Sequence, residues 1–415
     1  MSTATDRVIQ RLSLLSLVLV TTLCFYSLAS VLYLRSMAEG LIPVLFLCGV
    51  VYLVSKYAQM RVLPGWNLRM PHALLAAIVL LPAVSLLGQS ALNLSALDID
   101  GRSSIFHARN FWVVGVLWLV AGAALASAFV SPSRLAALGL VGALIVLLWF
   151  GSEGLFVINY ARLSAGMGGF RFSHLNTSDY AVFSLALAYG LAFGWVRVAV
   201  LVGGLFVLFA LGGRGALISF ALAAVLHQAF FVVHSPKMRV FSLVALVSVL
   251  VAFFGILSDM GASDLTGKDV LFSEGYRGDA SVLARLDQIF FGFSDLGQQA
   301  LFGDPSLIVR RFASAGAYMH NLFSSWQFYG VLFFAVLVCA LFFGLKLAYS
   351  SRDVQSDVLS VTFTILIIYV AISVVVAKAV GFYLLWLALG FWLERGILGS
   401  SLGTRRFLPG GAQRT

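Results

Sequence analysis

An imidazole and a set of guanidiniums are the groups in this chain best suited to move a proton or grip a phosphate. His320 lies in Tyr318-Met319-His320-Asn321-Leu322-Phe323-Ser324-Ser325-Trp326-Gln327-Phe328-Tyr329-Gly330, after a polar segment and at the lip of a long apolar run. A free imidazole titrates near neutrality, at about 6.5, which suits a general base or acid. Arg214 stands in Gly212-Gly213-Arg214-Gly215, between two apolar runs. Glycine makes tight turns and lets a ligand approach the backbone, and a guanidinium offers forked donors matched to phosphate oxygens. Arg277 and Arg285 lie a little over two helical turns apart, so on one helix they share a face. Plainer readings stand beside these. His320 could be an interfacial or capping histidine and Arg214 a snorkelling arginine at a helix end. Arg277 and Arg285 could be a solvated face paired with Asp279 and Asp287. Arg310-Arg311 reads as an anchor at the lipid headgroups.

Other chemistries find little support. No His, Cys, Asp or Glu cluster has the spacing of a metal site. Asp98-Ile99-Asp100 is a weak candidate for a divalent cation, since two aspartates in a polar loop are usually just solvated. No Walker loop, dinucleotide fingerprint or nucleophile elbow stands in a suitable context. Metal and cofactor are therefore expected to be none. Glu153 reads equally as a functional carboxylate or as the partner of an arginine.

The elements that must position these groups are membrane helices. The chain has 415 residues, 61% hydrophobic and 11% charged, with mean hydropathy +0.99. Soluble domains do not have this composition. Apolar runs of about 17–25 residues read as transmembrane helices. The runs predict about twelve, at 13–33, 38–56, 72–90, 110–130, 135–158, 179–195, 198–213, 215–233, 240–258, 318–345, 356–377 and 379–397. Cys24, Cys48 and Cys339 fall inside such runs and read as small apolar filler. The first run lacks a convincing cleavage site and is expected to be retained. Residues 1–415 make one integral membrane domain of all-α class. It carries a large outer loop at 259–317, between helices nine and ten, and a cytoplasmic tail at 399–415.

Charge orients the bundle. With the N-terminus in the cytoplasm, the inner segments hold Arg7, Arg11, Lys56, Arg61, Arg69, Arg134, Arg197, Lys237, Arg239, Lys346, Arg352, Arg395, Arg405, Arg406 and Arg414, against Asp6, Asp353, Asp357 and Glu394. The outer segments carry basic and acidic residues almost in balance. That is the positive-inside pattern, and an odd number of helices would break it. The formal charge of +10 thus orients the protein and attracts anionic lipid headgroups. It gives no reason to expect nucleic acid. Both termini are placed in the cytoplasm.

Four outward segments carry polar content: 91–109, with His107 and Arg109; 159–178, with Arg171, His174 and Asn176; the turn at Arg214; and 259–317, leading to His320. Loops of such length are uncommon unless functional. Within the largest, Val282, Leu283, Leu286, Ile289, Phe290 and Phe293 recur at helical spacing. They predict an amphipathic helix over 280–293 at the outer membrane–water boundary.

Four local patterns together resemble the bacterial O-antigen ligase and O-antigen polymerase superfamily, closest to the ligases. They are His320-Asn321 with Gly330; Ser281 and Arg285 with Leu301-Phe302-Gly303; Gly213-Arg214-Gly215; and Arg171 with Asn176-Thr177-Ser178-Asp179-Tyr180-Ala181. The match covers roughly 165–335. It departs from the family pattern at Ile289, where a tryptophan is usual, and at Asp304, where a second glycine is usual. The resemblance implies a GT-C-like glycosyltransferase at the periplasmic face of the inner membrane of a Gram-negative bacterium. It would transfer a glycan from undecaprenyl pyrophosphate to lipid A–core oligosaccharide, with inversion and without metal. His320 would be the base, and Arg214, Arg285 and Arg277 would bind the pyrophosphate. Arg171, Asn176 and Asn321 would have lesser substrate-binding roles. A polymerase differs only in its acceptor, another undecaprenyl-linked glycan. The rival class is a transporter or lipid flippase. Such proteins tend to show internal repeats and mid-bilayer charges, and neither is evident here.

Overall fold

The computed structural model describes residues 70–92, 98–99, 102–126, 174–210, 213–233, 235–237, 240, 244, 248, 280–299, 301–312, 318–351, 358–376 and 378–401. The expected helices at 13–33, 38–56 and 135–158, and most of 240–258, lie outside the described residues. So do Asp100, Glu153, Arg171, Arg277 and the tail beyond 401.

Among the described residues the chain is helical. In order come α1 (Met70–Ala91), α2 (Ser104–Ala126), α3 (His174–Leu191), α4 (Gly194–Ala210), α5 (Arg214–His227), α6 (Ala280–Asp295), α7 (Leu307–Phe312), α8 (Ser324–Ser350), α9 (Val358–Val376) and α10 (Tyr383–Ser401). Between α1 and α2 lies a small antiparallel ribbon of β1 (Asp98–Ile99) and β2 (Arg102–Ser103), pairing Asp98 with Ser103 and Ile99 with Arg102. Strands of two residues each leave the described chain all-helical in class, as expected. Among the described residues five helices are long and apolar enough to cross a membrane: Met70–Ala91, Ser104–Ala126, Gly215–Val232, Ser324–Ser350 and Val358–Val376.

Burial separates lipid-facing helices from the interior. The apolar window of α9 is 83% buried, against 28% for α1 and 33% for α8. α9 is thus the central post, and α1 and α8 show Leu80, Leu87 and Phe342 on open apolar faces. α9 packs against α3, α5, α8 and α10. Among the described residues α2 and α10 cross closely. A Cβ at Gly122 would overlap the Leu387 carbonyl, and one at Gly390 the Leu119 carbonyl. Helices lacking a hydrophobic drive to associate in lipid gain from such close backbone approach.

Several boundaries differ from those read from hydropathy. α2 begins at Ser104 rather than near 110, so His107 and Arg109 stand on the helix. α3 begins at His174, which puts Asn176 and Asp179 in its first turns. α8 begins at Ser324 rather than 318, leaving His320 in the turn before it. The cause is visible at that turn. Asn321 Oδ1 accepts the Phe323 N–H at 3.0 Å, and the Asn321 carbonyl accepts the Ser324 N–H at 3.0 Å. Asparagine competes for backbone donors in this way and thereby sets where a helix starts.

Candidate functional site

The N-terminal end of α8 is built around a break. Gly330 has φ +86 and ψ 172, far from helical values. Only glycine takes that conformation without strain. The carbonyls just before the break find partners on other elements. Asp304 donates its N–H to the Gln327 carbonyl at 2.7 Å. Gln89 Nε2 donates to the Phe328 carbonyl at 2.7 Å, and Ser85 Oγ to the Tyr329 carbonyl at 2.6 Å. A freed backbone acceptor in a bilayer must be satisfied within the protein, and three donors do that here.

The strand of chain 301–304 runs across this break. A Cβ on Gly330 would overlap the Leu301 carbonyl, and one on Gly303 (φ +73) would press on the Trp326 and Gln327 carbonyls. Phe302 lies over Gly88 of α1, and its carbonyl accepts a bond from Gln89 Nε2 at 2.7 Å. Leu301-Phe302-Gly303 and the Gly330 after His320-Asn321 are thus two halves of one close contact. Asp304 is also at work: Oδ1 accepts the Ser306 N–H at 2.8 Å and the Ser306 hydroxyl at 2.6 Å, while Oδ2 pairs with Arg310. Arg311 lies 3.5 Å over the Phe291 ring and 3.9 Å from Asp295. Arg310 and Arg311, expected at the headgroups, make these ties within residues 291–311.

The amphipathic helix expected over 280–293 is α6, and it lies against the His320 turn. Met319 is fully buried and seats on Gly292, and the Phe293 and Phe323 rings are 4.5 Å apart. Met319 is held from the other side as well, its N–H donating to Gln327 Oε1 at 3.0 Å. Arg285 precedes Gly292 by seven residues, which is two turns and the same register on the helix. Its side chain, like those of Arg214 and Asn176, lies outside those described. The His320 ring is half-buried and 4.4 Å from the Tyr318 ring, which in turn meets Phe111 and Phe328.

Two residues to which the sequence alone assigned no role join these parts. Asp179, on α3, is buried. Its Oδ2 pairs with Lys378 Nζ at 2.5 Å, and its Oδ1 accepts the Tyr369 hydroxyl at 3.2 Å. Two residues beyond Lys378, the Val380 N–H donates to Ser324 Oγ at 2.7 Å, at the start of α8. On the other side, Gly213 sits so close to Ser178 that a Cβ there would overlap its side chain. Arg214 therefore opens α5 beside the residue that precedes Asp179. Contacts run from the Arg214 turn through Ser178, Asp179, Lys378 and Val380 to Ser324 and the His320 turn. The signal that could have found Lys378 is its sidedness. A lysine on a short turn expected outside runs against the positive-inside bias.

The arrangement gathers an imidazole, a turn opened by an arginine, and a buried ion pair at one end of the bundle. Among the described residues no three His, Cys, Asp or Glu side chains cluster as a metal site would need. No family model matches this chain, and no curated protein is detectably similar to it.

Proposed function

We propose that this chain is a membrane glycosyltransferase of the O-antigen ligase kind, acting in lipopolysaccharide biosynthesis. On this reading twelve helices of GT-C-like arrangement lie in a Gram-negative inner membrane, with the site on the periplasmic side. The donor is a glycan on undecaprenyl pyrophosphate and the acceptor a hydroxyl of lipid A–core oligosaccharide. The His320 imidazole takes the proton of that hydroxyl. Its oxygen bonds to the anomeric carbon as the bond to the pyrophosphate oxygen breaks. Undecaprenyl pyrophosphate leaves with the electron pair, and the anomeric configuration inverts. Negative charge grows on the departing pyrophosphate, and fixed cations stabilise it best. Arg214, Arg285 and Arg277 have that role, with Arg171, Asn176 and Asn321 as lesser contacts, and no metal is required.

The observation that carries the reading is the seating of Leu301-Phe302-Gly303 in the Gly330 break, just after the His320 turn. It gives a physical reason for two patterns, far apart in sequence, that the resemblance rests on. The test is transfer by purified protein in detergent, with EDTA, from an undecaprenyl-pyrophosphate glycan, with and without lipid A–core. Product on lipid A–core that disappears in His320→Ala and Arg214→Ala is expected. Longer undecaprenyl-linked chains without lipid A–core would make the protein a polymerase. No transfer by folded wild type would return weight to a transporter or flippase, which needs a sealed compartment.

A further inference from the structure

We propose that the buried Asp179–Lys378 ion pair is the positioning device that sets the His320 turn against the Arg214 turn. Its catalytic consequence rests on the transferase reading above, but the mechanical coupling does not. The connection 378–382 touches both sides of the outer site. Its first residue, Lys378, closes the end of α9 by donating its N–H to the Ser373 carbonyl at 2.8 Å. Its side chain crosses to Asp179 at 2.5 Å. Asp179 follows Ser178, the residue that packs on Gly213. Further along, Val380 bonds Ser324 through its N–H, and its carbonyl accepts Trp386 Nε1 at 2.7 Å. Gly381 abuts the Phe111 ring, which meets Tyr318 beside His320. The ion pair is a directional contact that joins this connection to α3.

A buried pair adds little net stability over well-packed apolar side chains, but it fixes geometry, and losing one partner strands a charge. Here both Asp179 oxygens are engaged, one by Lys378 and one by Tyr369. The carboxylate therefore has a single orientation. Lys378 is a positioning residue: it acts on His320 through Val380 and Ser324.

The test uses full-length protein in detergent and two readouts. The first is amide hydrogen exchange, which needs no substrate. Lys378→Met should speed exchange about tenfold or more in 378–382 and also in 320–326, while the α2–α10 crossing stays unchanged. Lys378→Arg should return both segments close to wild type. Unchanged exchange at 320–326 would overturn the proposal. Should Lys378→Met fail to fold, Asp179→Glu carries the test, because it keeps the charges and lengthens the arm. It should alter exchange at 320–326 without loosening the rest, and no change there overturns the coupling equally. The second readout is kinetic. In Lys378→Met, kcat should fall about tenfold to a hundredfold, as a misplacement of about 1 Å would cause, with donor KM within about twofold. A raised KM with kcat intact would mean that Lys378 grips the donor, and would also overturn the positioning role. Wild type without any transfer would sink the functional reading, and the exchange result would still decide the coupling.

Discussion

The side-chain oxygen of Asn321 accepts the Phe323 N–H within the turn that carries His320. It is 7% exposed, so it serves the fold before any glycan arrives. Replacing it by alanine should cost about 1 kcal/mol, the usual net worth of a side-chain-to-backbone turn bond, and lower the thermal midpoint of purified protein. Asn321→Asp should keep most of that stability, and equal loss in both variants would show that this bond is not what matters. His320 is different in kind. Its ring is half-buried and lies 4.4 Å from that of Tyr318. His320→Ala should leave the protein folded, with a cooperative thermal transition to check it. Single-turnover transfer should drop by about 10²–10⁴, the range for a lost general base. A variant that folds and transfers at the wild-type rate would remove His320 from the chemistry. The residue scale also shows what a sequence can hide. His320 and Arg214 announce themselves by type and context. Asp179 and Lys378 are single charges at the ends of apolar runs, and only folding brings these residues, 199 apart in sequence, into one pair.

At the scale of elements, hydropathy locates the helices because lipid leaves the backbone little choice but to satisfy itself locally. α1, α9 and α10 lie where apolar runs predict them, within a few residues. The break in α8 was not legible in the same way. A glycine in an apolar run looks like helix filler, and its positive φ depends on Leu301, Gly303 and two side chains of α1 arriving from elsewhere. The start of α8 was misplaced for the related reason that Tyr318 to Phe323 is apolar enough to pass for helix. Gly330→Ala should be severely destabilising, by about 3 kcal/mol or more, since it combines backbone strain with a clash against a carbonyl. Gln89→Leu tests the same joint from the other side. It removes the donor to the Phe302 and Phe328 carbonyls and should cost about 1–3 kcal/mol per acceptor left unpaired. Thermal unfolding of both variants checks this. A Gln89→Leu protein as stable as wild type would mean that water or another donor serves those carbonyls.

Over the whole molecule, sidedness is what the distribution of Lys and Arg bears on most directly, because the two partition across a membrane by simple rules. A cysteine at Lys268 should react with an impermeant maleimide from outside, and one at Arg405 only after the membrane is opened. Both belong on a background with Cys24, Cys48 and Cys339 changed to alanine. Reaction of both from the same side would break the twelve-helix topology. The brace at the head of α8 has a further consequence, in time rather than in space. Ser85 and the carbonyl it serves are 244 residues apart, and Gln89 and its acceptor 239. At about 5–20 residues per second of synthesis, α1 enters the bilayer tens of seconds before its partners exist. The brace at the head of α8 therefore forms late in synthesis, and the Asp179–Lys378 pair later still, once residue 378 has been made.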